Sequence, residues 1–352
     1  MKAKMIGFAI LVLVILAGGG YSLYQNRITV TEINGYLGGE KIGLIEDEEI
    51  KSILKKKYHL EIHYSRAGSL DMVTADLTGR DYLFPSSQTA LEYYQELFGK
   101  APSDEIMFNT PIVLYSYQIV ADAMEKEGII TKTDGVYYAD MQKLTELMME
   151  EKTWNDIGLS QLYGPIIVDT TDPTKSNSGN MYAALTANML NNGKTVDLNT
   201  VDEVIPKLRV LFSRLGYMET SSSDLFNQFL RMGVGAKPLI AGYENQLLEF
   251  ATQNPEDYEN LKDDIVIIYP SPTVWSTHIY IALNDEGKKG YEALSDAEVQ
   301  RLAWEKHGFR TGNNNAAMET DDMKVEGIPA QITGVMNMPD YQVMKKIIDS
   351  LE

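Results

Sequence analysis

The spacing of apolar residues changes period repeatedly after residue 30. Within 47–58, Ile50, Ile53, Leu54 and Tyr58 recur at helical spacing, whereas Leu60–Tyr64 alternates in the manner of a strand. Lys41–Ile45, after Gly38-Gly39, reads as a short β run, and Tyr82–Phe84 as another. Ala90, Tyr94, Leu97 and Phe98 mark a helix. Ile112–Tyr115 reads as a strand feeding a helix that ends near Gly128, and Pro165–Val168 as a strand leading to a helix over 180–191 stopped by Gly193. Thr200 and Glu203 form a capping box ahead of a long amphipathic helix, and Ser221–Asp224 opens another. Leu239–Ala241, Ile265–Tyr269 and His278–Leu283 read as strands. Helices follow over 245–252, after the cap Ser295/Glu298, and around Met344, Ile347, Ile348 and Leu351.

Strands alternating with helices predict an α/β architecture with mainly parallel sheets. A chain of 352 residues accommodates two modest sheets more readily than one very wide sheet. The segment Asn109-Thr110-Pro111 is the expected outward crossing between lobes, and Tyr269-Pro270-Ser271-Pro272-Thr273 the expected return. That division assigns 27–111 and 271–352, including the C-terminal helices, to one lobe and 112–270 to the other.

Residues 1–26 stand apart from this pattern. Lys2 and Lys4 precede an uncharged run from Met5 to Asn26, with a solidly apolar core over Met5–Ala17. As a helix this run reaches about 33 Å, enough to span a bilayer. It is read as a retained transmembrane signal anchor, with Tyr21 and Tyr24 at the far interface; the small residues Ala17-Gly18-Gly19 keep cleavage of a signal peptide, and secretion, as the alternative. Lysines on the short side place the N-terminus inside and the large domain outside the membrane.

Charge and composition narrow the function. With 31 basic and 50 acidic residues the net charge is −19. Without Lys2 and Lys4 the remainder carries −21, so the acidity belongs to the outer domain. A nucleic-acid partner is not expected, because phosphates call for a basic face. The absence of cysteine excludes disulfides, thiolate nucleophiles, cysteine-held metals and lipidation of an N-terminal cysteine. No cofactor is expected. The signatures Gly-x-Ser-x-Gly, His-Glu-x-x-His and the Walker phosphate loop are absent.

In open α/β sheets, ligands bind beyond the carboxyl ends of strands, where helices begin. Three such places carry small hydroxyl residues: Ser65-Arg66-Ala67-Gly68-Ser69, Pro85-Ser86-Ser87, and Asp172-Pro173-Thr174-Lys175-Ser176-Asn177-Ser178-Gly179. Helix entrances offer unpaired N–H groups and a partial positive charge, which suit an oxyanion or carboxylate, although the same residues also serve as ordinary N-caps. A fourth strand end carries Tyr243 and Glu244.

These motifs, followed by His307-Gly308-Phe309-Arg310, resemble in their order the type 2 periplasmic or extracellular solute-binding proteins, nearest in flavour to the molybdate- and sulfate-binding branch. The resemblance runs over about residues 38–310. It implies two α/β lobes joined by two crossings, hinge closure over a small polar solute, here an oxyanion, and a transporter permease or sensor as membrane partner. It carries over Ser69, Ser86 or Ser87, and Ser176–Ser178. Together with the strand-end reading, the candidate ligand-binding residues are Ser69, Ser86, Ser87, Ser176, Asn177, Ser178, Tyr243 and Glu244. Arg66, Arg80 and Lys175 are candidate charge partners, and Tyr243 and Trp275 candidate walls. The competing readings are a hydrolase using Ser178 and His278, and a sensory or structural module whose cleft holds no solute. His59 and His63 lie four apart on an expected strand with no third ligand in sequence reach, so no metal site is assigned to them.

Overall fold

The structure is a computed structural model that describes residues 30–312, 318–321 and 323–352. The anchor expected over 1–26 lies outside the described residues. Among the described residues no helix is long and apolar enough to cross a membrane.

Ten strands build two sheets that share one long strand. They are β1 (Thr31–Leu37), β2 (Leu60–Arg66), β3 (Tyr82–Phe84), β4 (Ser103–Tyr117), β5 (Ile130–Thr133), β6 (Val136–Asp140), β7 (Leu239–Tyr243), β8 (Ile265–Ser271), β9 (Trp275–Ala282) and β10 (Arg310–Thr311). The first half of β4 pairs with β9 and β10 in the sheet that continues β9-β3-β1-β2. Its second half, from Ile112, pairs with β7 and β8 in the sheet that continues β8-β6-β5. Thus β4 leaves one lobe at Pro111 and enters the other at Ile112, while the chain returns between β8 and β9. The two passages are stitched together: the Ile112 amide donates to the Val274 carbonyl at 3.1 Å, and the Thr273 hydroxyl donates to the Ile112 carbonyl at 2.6 Å.

The sheets are mixed, which corrects the mainly parallel arrangement expected from the alternation of strands and helices. β1–β2, β1–β3 and β6–β8 run parallel, but β4 is antiparallel to all its neighbours. A strand leaving a lobe and a strand returning to it run in opposite directions, so side by side they pair antiparallel.

Other elements also differ from the sequence reading. Lys41–Ile45 is helical, as a 3-10 turn Gly39–Lys41 followed by the helix Ile42–Glu46, and Lys41, Leu44 and Ile45 are buried. The true first strand is β1, whose Ile33, Gly35 and Leu37 point inward between exposed or half-buried neighbours. Its Asn34-Gly35 pair looks locally like a turn signal, and pairing on both sides overrides it. Pro165–Val168 is extended without being a strand; only Asp169 bridges to β7.

The two faces of the second sheet are both covered. Ile112 and Leu114 of β4 enter a cluster with the helix Asn177–Leu190, whereas Val113 and Tyr115 enter another with the helices Ser222–Met232 and Glu244–Gln253. This is the period-two alternation of a strand buried on both sides. Helix 177–190 is buried at every position from Ser178 to Met189, which is why its sequence lacks a polar stripe. Packed on all sides, it is a rigid strut whose N-terminus faces the interlobe cleft.

The C-terminal helix Tyr341–Ser350, expected with the first lobe, buries Val343, Met344, Ile347 and Ile348 in the second lobe's core. The chain reaches it through Gly334–Met336, which hydrogen-bonds both sides of Thr273 at the crossing. Tyr341 also stacks on Tyr93 of the first-lobe helix Gln88–Phe98, with ring centroids 4.7 Å apart. After β10 the chain is thus found in the second lobe again: Val325 and Ile328 already belong to its core, and Gly334–Met336 then runs against the return crossing.

Candidate functional site

A cavity of about 460 Å³ opens between the lobes. Its first-lobe wall is made by the turn after β1 (Gly38, Gly39, Glu40) and the turn after β2 (Arg66–Ser69, Asp71). Its second-lobe wall is made by Lys175, Ser176 and Asn177 at the start of helix 177–190, by Thr220–Asp224 at the start of helix 222–232, and by Tyr243 at the end of β7. A volume of this size suits a small solute.

The second-lobe wall presents two helix entrances. Ser176 is the N-cap of helix 177–190, yet its side chain caps no backbone N–H; its Oγ lies 3.0 Å from Ser178 Oγ. Ser178 in turn lies 2.8 Å from Thr171 Oγ1, and is 1% exposed. Gly179 is required here, because a Cβ would lie 2.3 Å from the Thr171 carbonyl oxygen, where the loop folds back over the helix start. At the second entrance the Ser221 hydroxyl accepts from the Asp224 amide at 3.3 Å.

The first-lobe wall contains a buried charge cluster. Lys41 is fully buried, and its ammonium bonds to Glu40 Oε1, to Ser86 Oγ at 2.6 Å and to His278 Nδ1 at 3.2 Å. These three acceptors use all three of its protons. The Ser86 hydroxyl in turn donates to Glu40 Oε1. Burial alone would raise the Glu40 pKa, but the Lys41 charge and the bonds from Lys41 and Ser86 outweigh it and hold the carboxyl at about 2. Burial first, and then the Lys41 charge, push His278 well below its ordinary range, so it is neutral and accepts from Lys41. Gly38 permits the arrangement: a Cβ there would lie 2.4 Å from Glu40 Oε1.

The lobes meet beside this cluster. Asn177 Nδ2, on the second lobe, donates to the Ser86 carbonyl at 2.8 Å and to the Tyr243 hydroxyl at 3.0 Å. Ser276 Oγ donates to the same carbonyl at 2.9 Å. Burial, and next the Glu40 charge, push the Tyr243 phenol far up, so it stays protonated.

Of the candidate ligand-binding residues, Ser69, Ser176, Asn177 and Tyr243 line the cavity. Ser86 lies directly behind Glu40, and its amide donates to Ser69 Oγ at 3.0 Å. Ser178 supports Ser176 from behind. Ser87 is the buried N-cap of the helix Gln88–Phe98 and does not line the cavity. Glu244, expected at the ligand, is committed elsewhere. Its carboxylate takes Nε and Nη2 of Arg310 at 2.7 Å each and the Tyr269 hydroxyl at 2.6 Å, with Glu244 fully buried. Arg66 and Lys175 line the cavity, but Arg80 sits over the Tyr36 ring and Trp275 is not part of the lining. His59 ends a helix at φ 52°, off the strand on which it was expected. His63 instead groups with Glu32 and Glu61 on the edge strand β2 and its neighbour β1, and none of the three lines the cavity.

Sequence reasoning missed Gly38–Glu40, Lys41 and Thr220–Asp224. Searching only beyond recognised strands passed over both: β1 was unrecognised, and no strand leads directly into Ser221. The run Ser221-Ser222-Ser223 at a helix entrance was the available signal.

The chain matches no family model and no curated protein sequence. Solved structures do resemble it. The sulfate-binding protein SubI of Mycobacterium tuberculosis H37Rv aligns with a TM-score of 0.51 at 13% identity, over 80% of this chain and 86% of that one. The apo ferric ion-binding protein A of Pasteurella haemolytica aligns at 0.53 and 13%, over 91% and 95%. The substrate-binding protein of an ABC transporter from Agrobacterium tumefaciens aligns at 0.53 and 10%, over 93% and 96%. The chain has the two-lobe fold of the type 2 periplasmic solute-binding proteins. Within that fold the cavity lies between the lobes, with lining residues drawn from both.

Proposed function

We propose that the chain is a solute-binding protein displayed outside the cell membrane on its N-terminal apolar segment. It takes a small polar solute with an anionic group into the interlobe cleft, on behalf of a membrane transporter or sensor. The observation that carries this reading is a cavity walled by both lobes, whose second-lobe side is formed by two helix entrances, one without a side-chain cap. An anionic group there meets backbone N–H donors, hydroxyls of Ser176 and Ser221–Ser223, and the cations of Lys175 and Arg66. Contacts drawn from both lobes favour the closed arrangement over the open one, which is the differential binding that hinge closure requires. The acidic field of the outer domain would not steer an anion from a distance, so selection is local.

The hydrolase reading has less support. Ser178 is buried between Thr171 and Ser176, while His278 faces Lys41 on the first lobe. No hydrogen bond joins the two among the described residues.

The test is a thermal-unfolding panel on the full-length protein in detergent, followed by intrinsic fluorescence. The solutes are sulfate, phosphate, molybdate, carboxylic acids and amino acids. A true ligand at 100 times its Kd stabilises by about 2.7 kcal/mol, a rise in Tm of about 4 °C for a chain of this size. A panel in which no anionic solute moves the transition overturns the reading.

A further inference from the structure

The cavity lining includes carboxylates that an anion-binding site would not be expected to place there, and Glu40 is the most buried of them. Glu40 is nine-tenths buried, and Oε1 already accepts from Lys41 and Ser86. Oε2 accepts from no donor among the described residues, and Glu40 lines the cavity. Ser86, a first-lobe donor that the sequence offered to an oxyanion, is thus already occupied by an internal anion.

The rest of the lining has the same two-sided character. Asp71 and Asp224 stand with Glu40 against Arg66 and Lys175, and neither cation makes an ion pair among the described residues. A solute that is only an anion satisfies the two cations and the helix entrances, but brings its charge against three carboxylates. A solute that is only a cation does the reverse. A solute with both charges answers both sets, and a nitrogen donor fits the open lone pairs of Glu40 Oε2.

We infer that the solute is zwitterionic, with its anionic end on the second-lobe helix entrances and a cationic nitrogen on Glu40, which is therefore the residue that selects it. This rests on the reading of the cleft as a solute site. It changes the expected ligand class from simple oxyanions to amino-bearing acids.

The experiment is calorimetric titration of the full-length protein with matched pairs that differ in the amino group: taurine against ethanesulfonate, β-alanine against propionate, and 2-aminoethylphosphonate against ethylphosphonate. Sulfate and phosphate are titrated alongside. In at least one pair the amino-bearing member binds tenfold or more tighter than its partner. Glu40→Gln collapses that ratio to less than threefold. Because Glu40→Gln leaves Lys41 with a weaker partner, the double variant Glu40→Gln/Lys41→Met, which removes both charges, is measured beside it and gives the same collapse. Equal affinity within every pair, or sulfate and phosphate binding at least as tightly as the amino acids, overturns the inference while the solute-binding reading stands. Binding of none of the probes overturns both. A ratio that survives in both variants removes Glu40 from the selecting role.

Discussion

Two buried acid–base pairs in this molecule look alike by burial and differ in what they leave open. Glu244 and Arg310 form a closed unit. Both carboxylate oxygens are bonded by the guanidinium, Tyr269 adds a third donor, and two further Arg310 protons go to the Pro329 and Ala330 carbonyls. Glu40 and Lys41 form an open unit. Every Lys41 proton is used, but Glu40 Oε2 takes no donor among the described residues and Glu40 lines the cavity. The difference teaches that burial of a charge does not distinguish a structural carboxylate from a ligand-facing one; the lone pairs left over after the protein's own donors are counted do so.

The closed pair should break hardest. Arg310→Met strands a fully buried carboxylate and is expected to cost about 3–5 kcal/mol in urea unfolding, with the order of preference among bound solutes unchanged. A cost below about 1 kcal/mol would mean that Glu244 is not held as described.

The open pair sets the acid limit of the fold. The Glu40 carboxyl titrates near 2 in the folded chain, below the 4.5 of an ordinary glutamate. Its contribution is therefore complete above pH 4.5, and is lost as pH falls toward 2. His278, held neutral by burial and Lys41, adds a separate loss of stability as pH falls below its unfolded value. Urea unfolding at stepped pH should show both, and Glu40→Gln should flatten only the segment between about pH 4.5 and 2. An unchanged slope there contradicts the pairing.

Smaller effects sharpen the contrast. Tyr243→Phe removes the hydroxyl that accepts from Asn177 beside the interlobe contact, and should weaken solute binding by about fivefold, near 1 kcal/mol. Lys55→Ala breaks the exposed bridge to Glu61, and should change stability by less than about 0.5 kcal/mol.

The same contrast explains how much was legible in the sequence. The alternation of strands and helices, the two crossing segments and the order of the serine-bearing loops gave the two-lobe type 2 fold. Ser69, Ser176, Asn177 and Tyr243 were placed at the cavity because each follows a strand or opens a helix. Glu244 was misplaced by the same rule: it too follows a strand, and nothing local announces Arg310, 66 residues away, as its partner. Glu40 was missed because β1 hid behind Asn34-Gly35, and because Lys41 is recruited by Ser86 and His278, 45 and 237 residues distant. Local pattern finds helix ends and strand ends. Which charges are closed and which are open is decided by long-range pairing.

The central claim is that a small zwitterion sits between the lobes, with Glu40 on one side and the helix entrances on the other. A crystal structure of the protein with its tightest-binding solute tests it most directly. The account predicts a solute nitrogen within about 3.2 Å of Glu40 Oε2 and the anionic group at the same range from donors at Ser176–Asn177 or Ser221–Ser223. A solute bound outside the cleft, or an anionic group seated on Ser86 with Glu40 swung away, would contradict it.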